Sequence, residues 1–191
     1  MKKNPCFIVI DGGDGSGKDT QAKLVAKHYI KNGKRVRIRS HPAVDNFAGK
    51  KAKKALEKGK TRDYLLAALF YATDVIRSVI KYYRHEDEVI IFVRYLLGVC
   101  YLPSKLMFFG YSFFTQILPT TQYCFYIDVS AKEARRRITS RGEKLEMFES
   151  TEKLNKMRFK MLKLAKTNNW HIINGNKNKK KVWQQIKPLL P

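Results

Sequence analysis

Short apolar runs alternate with longer segments of helical period along the whole chain. Cys6-Phe7-Ile8-Val9-Ile10 is the first run, and helical spacing follows from about Gly17 to Lys31, stopped by Asn32-Gly33. Arg35-Val36-Arg37-Ile38-Arg39 alternates, which predicts a half-buried second strand. Val89-Ile90-Ile91-Phe92-Val93 and Tyr123-Cys124-Phe125-Tyr126-Ile127 are unbroken, as expected of strands covered on both faces, and His171-Ile172-Ile173-Asn174 closes the sheet. After a basic segment from Lys50 to Lys60, Leu65, Leu66, Leu69, Phe70, Val75, Ile76, Val79, Ile80 and Tyr83 recur at helical spacing, which predicts a largely buried helix. Leu154, Met157, Met161 and Leu164 form the apolar stripe of another helix, with Lys153, Lys156, Lys160 and Lys163 on its other face. This alternation predicts an α/β fold, a three-layer sandwich around a central parallel sheet of about five strands. No repeat or Pro/Gly-rich linker divides the chain, so residues 1–191 read as a single domain.

Charge changes the picture. Among 191 residues, 39 are Lys or Arg and 16 Asp or Glu, a formal net charge of +23. With 44% hydrophobic residues the chain is not disordered, so a folded body carries a large positive field. Nucleotide substrates and polyanions both suit that field, with nucleic acid the secondary expectation. Cys6, Cys100 and Cys124 stand far apart, which fits the reducing cytoplasm rather than a disulfide framework. The apolar run after Met1-Lys2-Lys3-Asn4-Pro5 is too short for a signal peptide. The uncharged stretch Leu106 to Ile127 approaches membrane-spanning length, but Gly110, Gln116, Pro119, Thr120, Thr121 and Gln122 interrupt it. It reads as a buried helix, a loop and a buried strand.

The strongest chemical signal is Asp11-Gly12-Gly13-Asp14-Gly15-Ser16-Gly17-Lys18-Asp19-Thr20, placed between a strand and a helix. Gly12, Gly17 and Lys18 match the phosphate-loop pattern G-x-x-x-x-G-K. Glycines let backbone N–H groups turn around an anionic oxygen, the helix start points at it, and Lys18 reaches the β and γ phosphates. Gly12 to Thr20 are therefore the candidate ATP site. Asp19 stands where a magnesium-ligating Ser or Thr is usual, with Thr20 one place on, so these two are the candidate Mg2+ ligands. A GTPase would need N-K-x-D, and Asn176-Lys177-Asn178-Lys179 lacks the Asp. What remains is the small phosphotransferase group.

Within that group the chain resembles the thymidylate kinases, especially the divergent archaeal type. Phe7 to Gln21 is similar to the family's F-I-x-x-E-G-x-D-G-x-G-K-S/T-T-Q, Val93-Arg94-Tyr95 falls where it has D-R-Y/F, and Arg137, Arg141, Leu145, Phe148 and Glu149 look like its R-x-x-x-R lid followed by L-D-R-F-E. The resemblance implies an ATP-dependent nucleoside monophosphate kinase with a small lid segment near 137–150. It implies that Lys18, Arg94 and Arg141 clamp phosphates, that Arg137 and Arg141 attend the donor, that Asp14 contacts the acceptor sugar and that Phe70 stacks on its base. Asp74, Arg77 and Tyr101 join these as acceptor-side candidates. It also implies a homodimer, for which the aromatic cluster Phe108, Phe109, Tyr111, Phe113 and Phe114 is one candidate surface, burial within the monomer being the other reading. The departures are Val93 for the acid, Asp74 where an Arg often helps recognise thymidylate, and Tyr101-Leu102 where the family has A-Y-Q. Two alternatives stay open: a catalytically weakened kinase fold that binds nucleotide or nucleic acid, and a nucleoside kinase, which would need a carboxylate base such as Asp11 or Asp74.

Overall fold

In the computed structural model the described residues are 5–58, 61–83, 87–140 and 150–191. Five parallel strands, β1 (Cys6–Asp11), β2 (Val36–Ser40), β3 (Val89–Val93), β4 (Cys124–Asp128) and β5 (His171–Asn174), lie in the order β2-β3-β1-β4-β5. Register pairs Ile10 with Val93 and with Phe125, which brings the carboxyl ends of the three central strands to one edge. Ligands bind at that edge in open α/β sheets.

The strand sequences show why the sheet is covered twice. Phe7, Val9, Ile90, Phe92, Cys124 and Tyr126 face one core with α3 (Thr61–Tyr82), α4 (Ser104–Ile117), α6 (Thr151–Thr167) and a 3-10 turn at Leu96–Tyr101. Ile8, Ile10, Ile91, Val93, Phe125 and Ile127 alternate to the other core, against Ala22, Val25 and Tyr29 of α1 (Lys18–Lys31) and Val182 and Ile186 of α7 (Lys179–Ile186). Each fully buried Ile or Phe stabilises the fold by roughly 1.5–3 kcal/mol, so both layers hold the central strands rigidly beneath the phosphate loop.

Several expectations change. The basic segment after Asn46 is itself a helix, α2 (Phe47–Lys58), because Ala48, Ala52 and Ala55 recur on one side and are buried. The stretch after Lys105 is the expected helix, loop and strand, but α4 is buried only through Met107, Gly110 and Tyr111. Leu106, Phe109, Phe113 and Ile117 remain exposed along it, and α3 likewise exposes Leu66, Leu69 and Ile80. Lys160 is not on the solvent face of α6: its ammonium donates to the carbonyls of Cys100 and Leu102, at 3.2 and 2.7 Å. α5 (Ala131–Thr139) ends where the expected lid begins; Arg141, Leu145, Phe148 and Glu149 lie outside the described residues. No helix among the described residues is long and apolar enough to cross a membrane.

Candidate active site

The loop between Asp11 and Lys18 closes over the sheet edge because its glycines take conformations other residues resist. Gly15 and Gly17 have φ of 71° and 86°, and a Cβ on Gly15 would lie 2.5 Å from the carbonyl oxygen of Ala134, so the loop is pressed onto α5. Lys18 folds back so that its ammonium donates to the Gly13 carbonyl at 3.1 Å and lies 3.7 Å from the Asp14 carboxylate. It is 3% exposed. Burial, reinforced by the charge of Arg94, lowers its pKa to about 8 against the opposing pull of Asp14, Asp19 and Asp11. The Ser16 hydroxyl is buried in the same loop without a hydrogen-bond partner. A cradle of this kind, with an orphaned polar atom and a concentrated positive charge, fits a polyphosphate.

Arg94 enters from the end of β3 with φ of 55°, and its guanidinium pairs with Asp14. Burial works against the Arg94 charge, but Asp14 more than restores it, so Arg94 stays cationic. Asp14 thus stands between Lys18 and Arg94. Burial opposes its ionisation too, yet those two cations hold its carboxyl below the usual range.

Asp11 is spent internally. Its carboxylate accepts from the N–H groups of Gly12 and Tyr95, both at 2.9 Å, and of Leu97 at 3.3 Å, and burial raises its pKa above the usual value. The missing acid at Val93 is a fully buried strand residue.

On the acceptor side, Phe70 is half-buried and meets Phe47 edge-on at 6.3 Å. Tyr101 lies beside Gly13 and Asp14 in a small cavity that Arg158 also lines. Asp74 turns elsewhere: it is fully buried and accepts from the Ala43 N–H and the Asn46 side-chain amide, both at 2.6 Å, with the Arg39 guanidinium at 3.5 Å. Its expected place at the acceptor gives way to fastening the 41–46 loop to α3. Arg77 is half-buried, with one guanidinium nitrogen lacking a hydrogen-bond partner.

The opposite wall is a groove lined by Gly17, Thr20, Arg137 and residues 176–179. Arg137 is occupied: it donates to Glu133 at 2.8 Å, to the Gly175 carbonyl at 2.8 Å and to the Gly15 and Ser16 carbonyls at 3.4 Å each. It ties the phosphate loop to the segment after β5. Sequence reasoning weighed that segment only as a guanine motif lacking its Asp, although Gly175-Asn176-Lys177-Asn178 directly follows a strand at the ligand-binding edge. Thr20 faces this groove, whereas Asp19 is exposed on the other side, accepting from the Ser40 hydroxyl at 3.2 Å. No group of three or more His, Cys, Asp or Glu side chains among the described residues could hold a metal unaided.

A phosphate loop on the central strand of a 2-3-1-4-5 parallel sheet, faced by an arginine from the neighbouring strand, defines a P-loop phosphotransferase of the nucleoside monophosphate kinase class. The family model for thymidylate kinase matches residues 10–186, and the chain belongs to that family. It is 30% identical over 169 residues to a probable thymidylate kinase of Pyrococcus horikoshii, covering 83% of this chain and 82% of the relative. A probable thymidylate kinase of Pyrococcus abyssi is 28% identical over 195 residues, covering 96% and 95%. The fold matches the thymidylate kinase of Candida albicans with a TM-score of 0.78 at 18% identity, covering 97% of this chain and 91% of that one.

Proposed function

We propose that the protein transfers the γ-phosphoryl group of ATP to thymidylate, with Lys18 serving the donor phosphates and Arg94 the acceptor phosphate. The observation that carries this reading is the placement of Lys18 and Arg94 on either side of Asp14 at the strand ends. Phosphoryl transfer needs in-line positioning and positive charge more than covalent help. A monophosphate is already an anion at neutral pH and attacks without a base. A nucleoside hydroxyl would require one, and the two carboxylates considered for that role, Asp11 and Asp74, are both buried and hydrogen-bonded to backbone. The monophosphate reading is therefore preferred. ADP release measured with a panel of nucleoside monophosphates tests it: stimulation by thymidylate is expected, and no stimulation by any acceptor would defeat it.

ATP in the glycine cradle of this single domain places its base in the groove beside Arg137 and residues 176–179, and Arg141 is assigned to the donor phosphates. Magnesium, when bound with the triphosphate, shields the charge of the transferring group. Asp19 is the residue assigned to hold it, since its carboxylate is exposed next to the Ser40 hydroxyl and Mg2+ typically takes only one or two protein carboxylates. Thr20 is less suited because it faces the base-side groove. Asp19→Ala is expected to raise the magnesium concentration for half-maximal rate by about tenfold, the loss of one charge-assisted ligand; an unchanged requirement would move the ligand elsewhere.

The exposed apolar side chains of α3 and α4 form the surface proposed for self-association, which sedimentation equilibrium tests; a monomer at micromolar concentration would contradict it. The three free cysteines fit the cytoplasm. The exposed lysines of α1, α2, α6 and α7 are assigned a general role in drawing anionic substrates toward the cleft.

A further inference from the structure

Arg94 is the residue on which the acceptor phosphate depends, and its backbone is unusual: a bulky, non-glycine side chain in the left-handed region, at φ 55°. Such a conformation is strained and persists only where its surroundings over-determine it. Here they do so through one peptide unit. The N–H of the Arg94–Tyr95 peptide donates to Asp11 at 2.9 Å. Its carbonyl accepts two bonds from the opposite direction, from the Tyr71 hydroxyl at 2.5 Å and from His41 Nδ1 at 3.1 Å. Because a carbonyl only accepts, His41 carries its proton on Nδ1.

Both donors are themselves fixed. His41 is fully buried, its ring edge-on to Phe92 of β3 at 5.2 Å, and burial lowers its pKa to about 4, so it stays neutral. The Tyr71 ring lies against Gly98 of the 3-10 turn so closely that a Cβ there would fall 2.4 Å from the ring. Two elements distant in sequence, the loop after β2 and α3, thus converge on a single carbonyl, and the turn after β3 backs the tyrosine.

We propose that Tyr71 and His41, with Gly98 behind the tyrosine ring, are positioning residues that hold the Arg94 backbone in its left-handed turn and so set the affinity for the acceptor phosphate. The inference rests on the reading of Arg94 given above. Without the two donors the peptide is held only by the bond of its N–H to Asp11, the turn relaxes toward ordinary backbone angles, and the guanidinium leaves the place opposite Lys18. The donor site keeps its own contacts, so ATP binding is not involved.

Steady-state kinetics with ATP and thymidylate test this. Tyr71→Phe, which removes only the hydroxyl, is expected to raise the KM for thymidylate about fivefold, the worth of a typical net hydrogen bond, while leaving the KM for ATP unchanged. Gly98→Ala, which displaces the ring instead, is expected to shift the thymidylate KM in the same direction. The decisive comparison is the double-mutant cycle: in an Arg94→Ala background, Tyr71→Phe should have no further effect, because the tyrosine acts only through that arginine. An unchanged thymidylate KM in Tyr71→Phe, or the same rise with Arg94 absent, overturns the proposal. If Arg94→Ala itself leaves the thymidylate KM unchanged, the reading of Arg94 falls and the positioning role with it. If Arg94→Ala weakens thymidylate and Tyr71→Phe does not, only the positioning role fails.

Discussion

Lys18→Met is expected to lower kcat by at least about a hundredfold, the cost of removing one preorganised cation or donor from the charge that develops in transfer. The fold should survive, since the lysine contributes one hydrogen bond to the Gly13 carbonyl and a 3.7 Å ion pair to Asp14, which keeps Arg94, and methionine fills a similar volume. Thermal melting without nucleotide separates the two effects: retained activity would refute the loop assignment, and a lost melting transition would show that the lysine is structural. The wild-type enzyme carries a pH signature of the same group. Burial and Arg94 bring Lys18 to about 8, so in the free enzyme its charge is present below that pH and lost above it. Accordingly kcat/KM for ATP, which reports the free enzyme, should fall as pH rises through about 8. The limb in kcat should lie higher, because bound phosphates favour the charged ammonium. Lys18→Met should abolish the limb in kcat/KM.

The second large effect is at Arg94. Arg94→Ala removes a half-buried guanidinium whose carboxylate partner is Asp14, and hydrogen bonds to charged groups contribute about 1.5–3 kcal/mol. The KM for thymidylate should therefore rise by roughly 10–150-fold, at about a factor of ten per 1.4 kcal/mol. Arg94→Lys should recover little, because an ammonium does not reproduce the planar fork. Initial rates over a thymidylate titration at saturating ATP provide the check. An unchanged KM would place the acceptor phosphate elsewhere.

Much of this site was legible because its signals are local. A strand, a glycine loop, a lysine and a helix stand within the consecutive residues 6–31, and Arg94 directly follows an all-apolar strand. The sheet was equally readable, since a run such as Val89 to Val93 has no polar residue to expose. What was not readable depends on contacts between distant segments. Asp74 is a carboxylate on the helix that bears Phe70, and periodicity cannot show that Ala43 and Asn46 come to meet it. The same holds for Tyr71 and His41, whose shared target is a backbone carbonyl, and for Gly98 behind the tyrosine ring. The exposed face of α3 was missed, and that of α4 left open between surface and core, for another reason: apolar side chains on several sides of a helix do not reveal which side the sheet covers. The helix within the lysine-rich segment after Asn46 rests on three alanines, a weak signal beside so many charges.

The central claim is transfer between nucleotides, and the label's destination tests it most directly. Incubating the protein with magnesium, thymidylate and ATP labelled in the γ-phosphate, then separating the products, should give label in thymidine diphosphate, dependent on Lys18. Label appearing only as inorganic phosphate, or incorporated into thymidine but not into thymidylate when each is offered alone, would contradict the account.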